Sequence, residues 1–140
     1  MKILLRLLVA GAALLSLRAF AEIAVVVDPA VPLDSISIEQ LERLYQNRPD
    51  RYPEGVKLVP LDRQTGSEIR KQFVQKVLWK TEVEVAEYWS RRMYSGKGRP
   101  PRQLRDDGDV IEEVTANPGD VGYIDAGSVS DQVKVLLSIP

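Results

Sequence analysis

The chain has 140 residues and a formal net charge of −1, and it contains neither cysteine nor histidine. Lacking both residue types, it cannot form disulfides, use thiol catalysis, build a Ser-His-Asp triad or hold zinc on Cys or His ligands. With 19 basic residues against 20 acidic ones, there is no basic excess of the kind that nucleic-acid binding requires.

Residues 1–21 read as a secretory signal. Lys2 and Arg6 form a charged start, residues 7–17 are apolar apart from Ser16, and Ala19-Phe20-Ala21 is an Ala-x-Ala cleavage site. The apolar run is shorter than the roughly 20 residues that a membrane-spanning helix needs, so no stable membrane anchor is expected after signal removal. No Cys stands at the cleavage site to carry a lipid. Three of the 19 basic residues (Lys2, Arg6, Arg18) and no acidic one lie in the signal, so cleavage after Ala21 leaves a more acidic chain, at −4. Residues 22–140 are expected to form one small periplasmic domain with a single core.

Residues 22–27 are apolar and rich in β-branched side chains, and Asp28-Pro29 ends the run. A continuous apolar run predicts a strand buried on both faces, as in a parallel sheet. Ser37 and Gln40 have capping-box spacing, with Ile36 and Leu41 where a hydrophobic staple would sit. The helix they open carries Ile38, Leu41, Leu44 and Tyr45 on one face and ends near Asn47, before Pro49. Residues 47–55, with Arg48, Arg51 and Tyr52, read as a solvated loop. Residues 57–61 predict a second strand, in which Pro60 marks an edge position or the strand's end.

The chain is organised around residues 59–78: the end of that strand, a polar turn and a helix. Ile69, Phe73, Val74, Val77 and Leu78 share one helical face, with Glu68, Arg70, Lys71, Gln75 and Lys76 on the other. The turn holds Arg63, Thr65, Gly66 and Ser67. A helix start offers free backbone N–H groups and a partial positive charge, which attract anions. Gly66 lets backbone approach a ligand, Arg63 supplies a fork of donors and Ser67 a hydroxyl. An oxyanion site is therefore geometrically permitted. The same turn also has capping-box spacing, Thr65 to Glu68, in which case the helix start satisfies itself.

Thr81 and Glu84 repeat the capping box, so Lys80 separates two helices. The second runs to about Met93, with Val85, Ala86, Trp89 and Met93 expected inward. Residues 94–105 hold two glycines, two prolines and four cations and read as a solvated connector. Lys97 and Arg99 within it are candidates to face an anion at the Arg63 turn. Residues 109–116 predict a helix with Val110, Ile111 and Val114 inward, stopped by Asn117-Pro118-Gly119. Residues 121–124 and 133–137 are short strands, and Gly122 marks a close backbone approach. The predicted order gives an α/β fold: a single three-layer domain with a mainly parallel sheet flanked by helices.

Three segments together resemble the periplasmic phosphate-binding proteins of ABC transporters, of the type II solute-binding fold. Ile23-Ala-Val-Val-Val-Asp-Pro followed by Ser37-Ile-Glu-Gln-Leu-Glu-Arg-Leu-Tyr is similar to the family's strand and helix before its phosphate loop. Arg63-Gln-Thr-Gly-Ser67 keeps the spacing of the Arg-x-x-Gly-Ser-Gly-Thr loop, and Asn117-Pro-Gly-Asp-Val-Gly-Tyr123 is similar to the Pro-Gly-x-Ile-Gly-Tyr turn. The resemblance implies phosphate contacts at Arg63 and Ser67, with the backbone of Gly66 and that of Glu68 beside them; Thr65 of the same turn is a further candidate for the anion. Two positions depart from the pattern: Glu68 stands for a Gly and Ile69 for the Thr. A carboxylate is gained and a hydroxyl lost beside the expected anion, so Glu68 must point outward if phosphate is to bind. The resemblance covers one of the family's two lobes.

The sequence therefore implies a periplasmic solute-binding protein for phosphate or a related oxyanion, related to phosphate ABC transport. The alternative is a one-lobe derivative acting as an interaction or regulatory module without a ligand. Its partner would be an envelope protein, or a second chain that supplies the missing lobe. No cofactor and no metal are implied. Asp28, Asp62 and Glu68 are the candidate carboxylates for catalysis, but nothing pairs them with a nucleophile, so no enzyme is expected.

Overall fold

Five apolar residues in a row, Ile-Ala-Val-Val-Val, have no polar face to offer, and β1 (Ile23–Val27) accordingly lies buried on both sides as an interior strand of the sheet. The computed structural model of the chain describes residues 22–48 and 50–140. The expected signal with its cleavage site, and Pro49, lie outside the described residues.

The elements follow in the order β1, α1 (Ile38–Tyr45), β2 (Val59–Arg63), α2 (Glu68–Phe73), α3 (Glu82–Tyr94), β3 (Arg102–Leu104), α4 (Asp107–Ala116), β4 (Asp120–Asp125) and β5 (Lys134–Ile139). The sheet order is β3-β2-β4-β1-β5. The pairings β2–β3 and β2–β4 are parallel, whereas β1 is antiparallel to both β4 and β5. Four strands thus point one way and β1 alone runs against them. The sheet is mixed in its pairings and mainly parallel in direction.

Both faces are covered. Leu41 and Tyr45 of α1, Phe73 of α2 and Val85 and Trp89 of α3 pack with Ile23, Val25, Val27, Val121 and Tyr123 on one face. Val110 and Val114 of α4 pack with Ala24, Val26, Leu61 and Ile124 on the other. Phe73 stacks on Tyr123 with ring centroids 3.9 Å apart, and Tyr45 meets Phe73 edge-on at 4.7 Å. Gly122 faces α4: a Cβ there would run into Val110 Cγ1, so the close approach expected from the sequence is that of α4 on the sheet.

Two of the expected capping boxes form. Ser37 with Gln40 opens α1, and Thr81 with Glu84 opens α3. Pro60 falls where β2 pairs with β4 alone, before β3 joins at Leu61, so its missing N–H costs no ladder bond to β3. Four expectations need correction. β2 runs two residues further than expected and ends on Arg63. The 94–105 segment is not all connector, because residues 102–104 pair with β2 as the edge strand β3. In α3 the inward stripe is Val85 and Trp89; Ala86 and Met93 are exposed. Arg70, expected on the polar face of its helix, is 6% exposed. α2 runs on through a π turn (Val74–Leu78), which closes at Trp79 in the left-handed region (φ 55°).

Candidate functional site

The site follows from where β2 stops. Alternate residues of a strand face opposite sides of the sheet. Asp62 therefore projects toward the α1, α2 and α3 side, and Arg63, like Leu61, toward α4. Because α2 follows β2 on one face and α4 follows β3 on the other, the sheet changes winding direction at β2. Ligands of open α/β sheets bind at such a point, outside the carboxyl ends of the strands.

On the α4 side the Arg63 guanidinium is buried, with the residue 5% exposed. Its Nη1 donates to Asp107 Oδ1 at 2.7 Å and to the Tyr123 carbonyl at 3.1 Å, and Nη2 donates to the Arg105 carbonyl at 3.3 Å. Its Nε–H is buried and has no partner among the described residues. Arg63 lines a cavity of about 230 Å³ together with Ile23, Glu68, Ile69, Gln72, Asp107 and Asp125. The ends of β2 and β4 and the first residues of α2 and α4 thus meet around one small space.

On the other side lies a buried ionic clasp. Arg70 Nη1 donates to Asp62 Oδ2 at 2.8 Å and Nε to Glu82 Oε1 at 3.0 Å. Asp62 also accepts from the Tyr123 hydroxyl and from the Arg63 amide. Glu82 accepts from the Gly66 amide through both oxygens, at 3.0 and 3.1 Å. The clasp ties the start of α3 to the turn before α2 and to β2. Burial raises the Asp62 carboxyl above its ordinary value, against the opposing pull of Arg70, the Tyr123 hydroxyl and the Arg63 amide. Burial, with Asp62 beside it, holds the Tyr123 phenol well above its ordinary value.

The five turn residues singled out from the sequence do not converge on one point. The Gly66 amide is taken by Glu82, a carboxylate of the chain itself. The Thr65 amide is likewise engaged: it donates to Gln103 Oε1 at 3.2 Å, and the Thr65 hydroxyl accepts from Gln103 Nε2. The Ser67 hydroxyl donates to the Gln64 carbonyl at 2.7 Å. The Thr65–Glu68 capping box does not form, because α2 begins later, with Ser67 as its N-cap. Glu68 is exposed and stands on the cavity wall with Arg63, its carboxylate 3.5 Å from Gln72 Nε2. What the structure brings together is Arg63, Glu68 and Ile69; Thr65, Gly66 and Ser67 belong to other partners. Lys97 and Arg99 are elsewhere. Arg99 lines a second cavity with Val59, Pro60 and Leu61, over the first half of β2, and the Lys97 carbonyl is bound by Asn47 and Arg92.

Three participants were missed from the sequence: Arg70, Glu82 and Asp107. Arg70 obeys the polar half of a helical repeat, and nothing local says that its charge is matched inside. Glu82 resembles any first-turn acid. Asp107 precedes the helix start expected at Asp109, and lies 44 residues from Arg63.

Solved structures share this architecture. A phosphate ABC transporter substrate-binding protein from Clostridium perfringens, determined with bound phosphate, matches with a TM-score of 0.62 and 21% identity, over 83% of this chain and 45% of its own. An ABC-type phosphate transport receptor from Vibrio cholerae gives 0.64 and 20% identity, over 83% and 46%. PstS from Borrelia burgdorferi gives 0.60 and 17%, over 83% and 47%. The fold is that of one lobe of a phosphate-binding protein. The chain spans about half the length of each of these structures. Neither a family model nor a curated protein matches it. Among the described residues, no helix is long and apolar enough to cross a membrane.

Proposed function

We propose that the chain is a periplasmic oxyanion-binding domain related to phosphate transport, which holds phosphate or a similar tetrahedral ion at Arg63. The observation that carries this reading is the Arg63 guanidinium on the wall of a cavity at the carboxyl ends of β2 and β4, where its Nη2 donates to the Arg105 carbonyl alone among the described residues. An oxyanion is an acceptor well matched to a guanidinium N–H. The phosphate bound in the Clostridium perfringens structure supports the choice of ion. The contacts narrow from the five turn residues to Arg63 and the α2 start at Glu68 and Ile69. NMR titration of the labelled protein with phosphate and then sulfate tests this. The Arg63 Nε–H signal and the Glu68 and Ile69 amides should move together; no movement at millimolar anion refutes the reading.

A second reading has its own observation. The Gly66 amide is already satisfied by Glu82, and the chain spans about half the length of the structures it matches. In this reading the face around the cavity meets a second chain or an envelope protein, as a regulatory or interaction module. Affinity capture from periplasmic extract that recovers no specific partner counts against it.

A further inference from the structure

Charge is sorted along the chain. Between Glu87 and Asp106 lie Arg91, Arg92, Lys97, Arg99, Arg102 and Arg105, with no acidic residue among them; the rest of residues 22–140 carries 10 basic and 20 acidic residues. Surfaces ordinarily mix the two signs, because a stretch of one sign repels itself. Part of this charge is matched within the chain. Arg102 pairs with Glu113 at 2.6 Å and Arg105 with Asp109 at 3.4 Å, and Arg92 donates to the Asn47 and Lys97 carbonyls. Arg91, Lys97 and Arg99 are exposed and form no ion pair among the described residues.

Two of these three cations stand at one cleft. Arg99, Pro100, Pro101 and Arg102 line a cavity of about 530 Å³ with Val59 and Pro60, at the amino ends of β2 and β4 and so at the opposite end of those strands from Arg63. Lys97 is fixed beside it. Asn47, which also lines the cleft, donates to the Lys97 carbonyl at 3.4 Å and packs against Gly98 (φ 135°) so closely that a Cβ there would run into its amide nitrogen. The loop thus presents its cations from a pinned backbone, which lowers the ordering cost of binding. Val59, 53% exposed, gives the cleft an apolar face. Glu113 and Asp120 line it too, so an anion belongs at the rim rather than inside. We infer that this cleft docks an acidic segment of a partner protein. An apolar side chain enters beside Val59 and Pro60, and flanking carboxylates meet Arg99 and Lys97. A flat lipid surface meets the cations but leaves the cleft unfilled, whereas a protein segment uses both. The cleft shares no residue with the Arg63 cavity, and the inference does not rest on the oxyanion reading.

NMR titration of the labelled full chain with two end-blocked peptides, Asp-Glu-Phe-Glu-Asp and Asp-Glu-Ala-Glu-Asp, tests the inference. The Val59, Arg99 and Arg102 amides should shift together, and the phenylalanine peptide should bind at least threefold more tightly than the alanine one. Arg99→Glu should weaken it at least tenfold. Lys71→Glu, the same charge change at an exposed position of α2, should weaken it less than twofold. Circular dichroism checks that both variants fold; if Arg99→Glu does not, Lys97→Glu must weaken binding in the same direction. Equal losses in the two variants, equal binding of the two peptides, or no shift at these amides with millimolar peptide overturns the inference. Sedimentation with phosphatidylglycerol vesicles is the second arm. Vesicle binding that Arg99→Glu abolishes, without peptide binding, makes this a lipid-facing surface and overturns the inference as well.

Discussion

Replacing Arg70 by methionine isolates the clasp beneath the α2 turn. Methionine keeps the length and the apolar stem but brings no charge. Arg70 is 6% exposed and donates to Asp62, to Glu82 and to the Arg63 carbonyl. In the variant, Asp62 retains the Tyr123 hydroxyl and the Arg63 amide but has no cation. Removing one partner of a buried pair costs about 3–5 kcal/mol. A separate limit comes from protonation, since Asp62 escapes its uncompensated charge by taking up a proton. From an ordinary value near 3.9 this costs roughly 4 kcal/mol at pH 7. The two estimates agree, and the predicted loss is about 3–4 kcal/mol, a large share of the ~5–15 kcal/mol that holds such a domain together.

The pH dependence gives the sharper test. Burial raises the Asp62 carboxyl already, and Arg70 is the largest of the groups that oppose the rise, so its loss raises the carboxyl further. The native variant then holds a proton that the unfolded chain releases above its own lower value. Stability is therefore lost as pH rises through the window between those two values, and is retained below it. The Arg70→Met penalty should shrink from pH 7 to pH 5, by at most about 2.7 kcal/mol over the two units. Asp62→Asn in the same background should remove most of that dependence. Urea unfolding of the three variants and the parent at both pH values measures it. A penalty under about 1 kcal/mol, as for an exposed pair, or one that does not change with pH, refutes the argument.

The remaining predictions concern the sheet face, the turn and the cavity. Gly122→Ala should cost about 1–3 kcal/mol by overpacking Val110, and Val110→Ala in the same chain should return part of it; thermal unfolding decides. Glu82→Gln leaves an acceptor for Gly66 but removes one of the two carboxylates that Arg70 meets, so about 1–2 kcal/mol should go and the Gly66 amide should exchange faster with solvent; unchanged hydrogen exchange rejects this role. Glu68→Gly removes a carboxylate from the cavity wall and should tighten phosphate several-fold in calorimetry. No change means that this exposed charge does not reach the anion.

Much of the scaffold was legible because its signals are local. A run of β-branched residues gave β1, and the Ser37–Gln40 and Thr81–Glu84 spacings gave two helix starts with their caps. The third such spacing, Thr65 to Glu68, did not close: α2 starts later, at Ser67, and Thr65 is held instead by Gln103 on β3, which meets both its amide and its hydroxyl. β3 itself escaped notice because it is a three-residue edge strand in a stretch rich in arginine and proline. Arg70 was misplaced because a helical repeat sorts residues by polarity. A buried arginine with two carboxylates obeys a rule of pairing, and pairing is settled by groups far along the chain.

Whether Arg63 belongs to the turn or to the strand decides the chemistry. In a flexible turn its guanidinium could swing to the Gly66 and Ser67 amides and share one anion with them. As the last residue of β2, its direction is fixed by the alternation that it shares with Leu61. It is then committed to the α4 side, where Asp107 meets it, while the Gly66 amide is committed to the α3 side, where Glu82 meets it. A motif can keep its spacing while its donors divide between two faces of a sheet. Any ligand that Arg63 still recognises must therefore enter beside Asp107 and Asp125, and the acids of that wall, more than the turn, set which ions it admits.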